Sequence, residues 1–339
     1  MKLCLVRLSA LGDVVLMIPL VRTLQAAIPD LELTWVTSPA SYSILEGLSG
    51  VNFLVIDKPN SLGDYWRFYQ RMKTESFDVL LAAQASFRAN LLYPLIKAKR
   101  KIGFDHGRSK DGHRFFIQES IEARQEHLLE GFLGFARALG IEKTECRWDL
   151  ALSAADHAFA ESQLPEGNWL AVNPAASKPE RNWLSSRYAE VIQTAMEEWG
   201  MRVVLTGGPG EEEKRLANEV LQQCKDPTSI LNLVGATTPK QCAAVLERAR
   251  VLLSPDTGPA HIATAVGTPV VGLYAVAPSM LSGPYLSKHF VIDEFANAVQ
   301  QLLKRDPNTV PWGTRVHDPK AMELIEVESV LMKLRAVMA

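Results

Sequence analysis

The strongest constraint on this chain is a strand–helix rhythm that runs, pauses and starts again. The stretch "KLCLVRLSALGDVVLMIPLVRTLQ" shows the unit: a short apolar run, a turn relaxed by Gly12, then Val14, Ile18, Val21 and Leu24 at helical spacing. Further strands are expected near 33–37, 53–56, 79–83 and 101–104. Helices are expected over 13–27, up to Gly47, and over 62–74, 89–96 and 126–139, the last stopped by Gly140. Residues 149–167, closing on Pro165, Gly167 and Asn168, read as a connection. Strands then recur at 169–173, 202–207, 230–234, 251–255 and 270–274, with helices at 185–199, 211–223, 239–249, 259–266 and 322–337. Repeated units of this kind demand parallel sheets with helices on both faces. Two runs in 339 residues predict an α/β chain of two doubly wound, Rossmann-like domains, 1–150 and 165–320, followed by a helix within 321–339.

Composition narrows the function. The chain is 47% hydrophobic and 22% charged with a formal net charge of −2, so overall charge lends no support to nucleic-acid binding. Cys4, Cys146, Cys224 and Cys242 form no Cys-x-x-Cys pair; no zinc site is expected, and free thiols fit a reducing compartment. The start, Met1 to Arg7, meets charge too soon for a signal peptide, and no apolar run reaches membrane-spanning length. The expected location is the cytoplasm, at most peripheral to a membrane.

In open parallel sheets, ligands bind where strands end and helices begin. Four such loops carry chemistry. In "SPDTGPAHIATAVGTPVVGLYA", Gly258 permits close backbone approach and Pro259 suits a first helical position, so the amides from Thr257 to His261 favour a phosphate. Asp256 and Thr257 either cap that helix or bind ligand. In "VVLTGGPGEEEKRL" the Gly-Lys-Ser/Thr ending of a P-loop and the third glycine of a dinucleotide fingerprint are missing. Three carboxylates at that helix start repel a pyrophosphate. Glu211, nearest the turn, suits ribose hydroxyls, whereas Glu212 and Glu213 complement the helix dipole. In "NPAASKPERNWLSSRYAEV", Lys178 and Arg181 bring positive charge to a strand end, with plain solvation the competing reading for Lys178. In "RLSALGDVVLMIPL", Asp13 opens the first helix as either a cap or a general base.

These four motifs, in this order and spacing, resemble glycosyltransferase family 9, the ADP-heptose:lipopolysaccharide heptosyltransferases. The resemblance spans nearly the whole chain, and Asp-Thr-Gly-x-x-His with Gly-Thr-Pro is its most specific part. It implies the GT-B architecture, two Rossmann-like domains facing a cleft, and an inverting transfer of heptose from ADP-heptose to the lipopolysaccharide inner core. By the same resemblance Asp13 is the base, Arg181 binds the donor diphosphate, and Glu211 takes the adenosine ribose. Asp256, Thr257 and Gly258 lie against diphosphate and sugar, with His261 supporting the turn and Lys178 adding charge. The Gly235-Ala236-Thr237 loop flanks the adenine, which makes Thr237 a donor residue. No Asp-x-Asp motif occurs, so amides and Arg181 are expected to neutralise the leaving ADP without an obligate metal or any cofactor. Where many members carry a Gly-Pro-Thr-type loop after the last strand, this chain has Ala275-Val276-Ala277-Pro278-Ser279, so the motifs bear on the nucleotide more than on the sugar.

For the acceptor, "KAKRKIGFDHGRSKDGHRFF" gathers Lys97, Lys99, Arg100, Lys101, Arg108, Lys110 and Arg114 in the half that holds Asp13. Arg67 and Arg71 of "DYWRFYQRMK", with Gly12 at the first turn, complete the expected acceptor side. An anionic lipopolysaccharide core and peripheral contact with the inner membrane fit such a cluster; a solvated charged loop is the alternative. Rival functions are a non-hydrolysing sugar-nucleotide epimerase and a non-catalytic nucleotide-binding regulator. A nicotinamide oxidoreductase is disfavoured by the missing third glycine.

Overall fold

The computed structural model describes residues 1–338. The chain divides into two compact units, one Met1–Ala151 and the other beginning at Leu152.

The first unit holds a six-stranded sheet of β1 (Lys2–Val6), β2 (Glu32–Thr37), β3 (Asn52–Val55), β4 (Phe77–Ala82), β5 (Ala98–Gly103) and β6 (Glu119–Ser120). Every pairing is parallel, in the order β3-β2-β1-β4-β5-β6. The second unit repeats the plan with β7 (Trp169–Val172), β8 (Arg202–Leu205), β9 (Ile230–Asn232), β10 (Val251–Pro255), β11 (Val270–Tyr274) and β12 (Ile292–Asp293), in the order β12-β11-β10-β7-β8-β9. Each chain half therefore runs outward from its first strand, returns, and runs outward on the other side. The reversal falls between β1 and β4 in one sheet and between β7 and β10 in the other. Loops diverge at such a point and leave room for a ligand beyond the carboxyl ends of the strands.

The central strands are apolar throughout because helices cover both faces. In β1 the residues Leu3 to Val6 are fully buried, as are Val251 to Leu253 of β10. The helix Leu11–Ala27 is buried from Val14 to Leu24, which explains its nearly uninterrupted apolar sequence. In the second unit the terminal helix Val327–Met338 places Val330 and Leu334 in the same core as Leu170 of β7 and Leu253 of β10. That helix is an integral layer of the unit, and the 3₁₀ turn Pro319–Leu324 precedes it.

Two expectations need correction, and two edge strands went unread. The connection at 149–167 contains a helix, Ala154–Gln163, capped by Ser153, whose hydroxyl accepts the Asp156 amide at 3.2 Å. Its weak amphipathicity hid it: Ala160 is its one fully buried residue. The helix expected over 89–96 breaks into Phe87–Asn90 and a 3₁₀ turn Tyr93–Leu95. Pro94 cannot supply the amide a continuous helix needs there, and Asn90 sends its side chain to the carbonyls of Lys110 and Asp111. The sheet edges β6 and β12, two residues each, carried no readable period.

Candidate functional site

In the first unit the chain leaves β1 at the switch point. Leu8 donates its amide to Gln84 Oε1 at 2.7 Å, and its carbonyl accepts from Ser38 and Ser41 at 2.6 and 2.9 Å. This fixes the turn that carries Asp13. The carboxylate sits at the third helical position, not at the cap: Oδ2 accepts the Ala10 amide at 3.1 Å and pairs with the Arg7 guanidinium. Arg7 also donates to the Ala83 carbonyl at 2.7 Å and lies 5.3 Å over the Phe132 ring. The cap and base readings of Asp13 thus divide between its two oxygens. Oδ2 ties down the turn, while Oδ1 accepts no hydrogen bond among the described residues. Gly12 is buried beside it.

The second unit builds its cluster from three strand ends. Arg181 closes a 3₁₀ turn in the loop after β7, and Asp256 follows β10, so the two flank the switch point. They pair at 3.0 Å with Arg181 Nη1 on Asp256 Oδ2. Ser282, beyond β11, donates to Asp256 Oδ1 at 3.2 Å, and the buried Tyr274 hydroxyl donates to the Ser282 carbonyl at 3.2 Å. Burial and the Asp256 charge hold that phenol well above its usual range, so it stays a neutral donor. Asp256 is therefore no helix cap. The cap is Thr257, whose side chain makes no cap bond, and the helix Gly258–Ala265 starts with that hydroxyl uncommitted. His261 is buried within its second turn.

A further cation stands here. The Val316 amide donates to the Val276 carbonyl past β11 at 2.8 Å, and His317 meets Glu180 at 3.1 Å. These two tethers, directly after Arg315, hold it within the fields of Asp256 and Arg181. Burial pulls its guanidinium below the usual range, opposed by the field of Asp256.

On the other flank of the same sheet edge, Gly207–Gly210 after β8 meets Gly235 after β9, whose amide donates to the Gly207 carbonyl at 3.0 Å. Glu213 accepts the Gly208 and Gly210 amides at 2.8 and 3.1 Å. A Cβ at Gly210 would stand 2.6 Å from that carboxylate, so glycine is what admits it. With its amides occupied by an acid, this loop is closed to phosphate. Glu212 pairs with Arg215, whereas Glu211 is 94% exposed with a single long contact to Lys214. Thr237 lies in the neighbouring Gly235 loop. The Lys178 carbonyl accepts the Arg181 amide at 2.9 Å, and its side chain makes no hydrogen bond or ion pair among the described residues.

Three of the seven cations in the basic stretch of the first unit are paired with acids. Lys99 pairs with Asp78 and Arg100 with Glu119. Arg108 is held by Asp105 at 2.6 Å and by the Arg124 carbonyl at 2.8 Å, with Glu126 beyond, so its charge is already met by acids within the unit. Arg114 stays exposed against Phe115. Arg67 and Arg71 line one cavity of about 200 Å³ past the end of β3, together with Asp57 and Asp64. Arg67 pairs with Asp64 there, and Arg71 donates to the Val55 carbonyl at 3.0 Å.

Arg7, Ser282 and Arg315 escaped the sequence reading. Arg7 had a signal, an arginine directly after a buried strand. Arg315 had none, because it is far in sequence from every motif it joins.

Two doubly wound α/β units, each with polar side chains at its switch point, fit the GT-B architecture. Residues 65–309 match the model of glycosyltransferase family 9 (heptosyltransferase). The lipopolysaccharide core heptosyltransferase OpsX of Haemophilus influenzae is 33% identical over 98% of this chain and 96% of its own. Among solved structures, a family 9 glycosyl transferase from Veillonella parvula superposes with a TM-score of 0.81 at 19% identity, covering 99% of this chain and 97% of the other. The ADP-heptose lps heptosyltransferase II of E. coli superposes at 0.73 and 18% identity, over 100% and 98%. The chain belongs to glycosyltransferase family 9. It is a glycosyltransferase, and the epimerase reading is not favoured.

Proposed function

We propose that the protein transfers heptose from ADP-heptose to the lipopolysaccharide inner core with inversion, Asp13 acting as the base. The observation that carries the base assignment is the division of labour on Asp13: one oxygen is anchored by Arg7 and Ala10, the other is left unbonded at a switch point. As the acceptor oxygen bonds to the anomeric carbon, the bond from that carbon to the diphosphate oxygen breaks and Oδ1 takes the hydroxyl proton. ADP departs with the bonding electrons.

The donor falls to the second unit. Arg181 keeps Nε buried without a hydrogen-bond partner, a state that costs free energy until a ligand satisfies it. Arg181 and Arg315, with the Gly258 amide and the Thr257 hydroxyl, receive the diphosphate. Asp256 orients Arg181 and faces the sugar hydroxyls, and His261 supports the turn. Glu211 and Thr237 take the nucleoside, with Lys178 at the rim. No metal or cofactor enters this scheme, so turnover should persist in chelator. Arg71 offers charge to the anionic acceptor, with Arg67 beside it paired to Asp64, and a lipid-anchored acceptor calls for peripheral contact with the membrane. No described helix is long and apolar enough to cross one.

The test is ADP release from ADP-heptose with and without heptose-deficient lipopolysaccharide. Acceptor-dependent release by the natural protein, lost in Asp13→Asn with ADP binding retained, supports the scheme. Undiminished release by Asp13→Asn overturns the base assignment.

A further inference from the structure

The helix Leu62–Met72 has two apolar faces. Phe68 and Met72, one turn apart, are buried in the first unit. Leu62, Trp66 and Tyr69 sit at spacings of four and three, so they form a second stripe, and they are 89%, 63% and 41% exposed. An amphipathic surface helix needs only the first face. Phe87 and Phe115 are likewise 64% and 75% exposed. Among the described residues these four are all the strongly exposed aromatic side chains.

They share one place. The segments that carry them follow β3, β4 and β5, whose carboxyl ends lie on a single edge of the first sheet. Tyr65 Oη donates to the Arg88 carbonyl at 3.2 Å, linking the helix to the Phe87 turn. The Phe87 amide donates to Asp111 Oδ2 at 2.9 Å, linking that turn to the loop bearing Phe115. Each segment also sets an arginine beside its aromatic: Trp66-Arg67, Phe87-Arg88 and Arg114-Phe115, the last with its guanidinium 4.8 Å from the ring. Asp64 neutralises Arg67. Arg88, Lys110 and Arg114 have no acidic partner among the described residues.

We propose that this edge of the first unit seats on an anionic lipid bilayer, with Leu62, Trp66, Phe87 and Phe115 at the headgroup–acyl boundary and Arg88, Lys110 and Arg114 on lipid phosphates. Aromatic side chains favour that boundary, and cations near an anionic surface add attraction that salt removes. A second copy of the chain is a poorer occupant, because a self-complementary interface opposes the same unpaired arginines to one another. The inference deepens the reading of a lipid-anchored acceptor, and its test uses vesicles without acceptor, so the two can fail separately.

The full chain is to be sedimented with vesicles of phosphatidylglycerol and phosphatidylethanolamine, and with vesicles of phosphatidylcholine, at low and high salt. Binding to the anionic vesicles is expected to exceed binding to the neutral ones by about tenfold or more and to weaken with salt. Arg88→Glu/Arg114→Glu should abolish that preference, and Trp66→Ser/Phe115→Ser should weaken binding while keeping its salt dependence. The charge-matched control Lys225→Glu/Lys240→Glu, on the second unit, should bind as the natural chain does. Melting curves identify any variant that fails to fold, and the two patch variants act as independent reporters. Equal binding to both vesicle types overturns the proposal, as does an equal loss in the control. So does a concentration-dependent dimer, seen by light scattering, that disappears in Trp66→Ser/Phe115→Ser without any vesicle binding.

Discussion

Removing the charge of Arg315 should weaken a nucleoside diphosphate while sparing the nucleoside. Arg181 and Asp256 pair at 3.0 Å, so together they offer a diphosphate no net formal charge. Arg315, held nearby by the Val316–Val276 and His317–Glu180 contacts, leaves the cluster net positive. Its Nη1 donates to the Gly313 and Thr314 carbonyls at 3.0 and 3.2 Å, which leaves Nη2 and Nε for a ligand. A charge-assisted hydrogen bond is worth about 1.5–3 kcal/mol, which is about 10- to 150-fold in Kd. Calorimetry should therefore show Arg315→Gln losing ADP by that factor, with adenosine within about twofold of the natural protein. Arg315→Lys should fall between, because it keeps the charge and loses the fork. The slope of affinity against salt should also shrink in Arg315→Gln. Unchanged ADP affinity in a folded Arg315→Gln protein refutes the charge argument. Equal weakening of ADP and adenosine would show that Arg315 merely braces the end of β11.

Asp13→Asn should cut turnover by about a hundredfold or more, and it should also lower stability by about 1–3 kcal/mol, since Arg7 loses its acid in a largely buried setting. Arg7→Met/Asp13→Asn should recover part of the melting temperature and none of the activity; recovery of both would show that Asp13 is structural. Glu211→Ala should weaken ADP by about 1 kcal/mol and leave inorganic pyrophosphate unaffected; a loss for pyrophosphate would place Glu211 elsewhere. His113 gives a pH signature. Its Nε2 accepts the Phe104 amide at 3.1 Å, so Nδ1 carries the proton toward Asn90 Oδ1 at 2.8 Å, and burial pushes its pKa down to about 4. The unfolded imidazole titrates near 6.5, so this contribution is complete above about pH 6.5 and is lost as the pH falls toward 4. Urea midpoints should drop over that interval, and His113→Gln should flatten the drop; an unchanged slope in that variant would remove His113 as its source.

What the sequence determined alone follows from local rules. Alternating apolar strands and 3.6-period helices, read along one chain, required two parallel sheets, and the polar turns after β1, β7, β8 and β10 marked the ends where ligands bind. Asp13, Arg181, Glu211 and Asp256 stood out as candidates because each lies in a strand-to-helix turn, a feature set by neighbours in sequence. The helix Ala154–Gln163 and the break at Pro94 were harder, since one has too little buried face to show a period and the other depends on where Asn90 finds its partners. Only the tertiary structure decided which charges meet. The sequence offered Arg108 as either an acceptor cation or a solvated charge, and the fold sets Asp105 and Glu126 around it; Arg315 drew no reading, and the fold brings its loop into the field of Asp256. Such pairings join residues far apart in the chain, and a one-dimensional pattern holds no record of a distance in space.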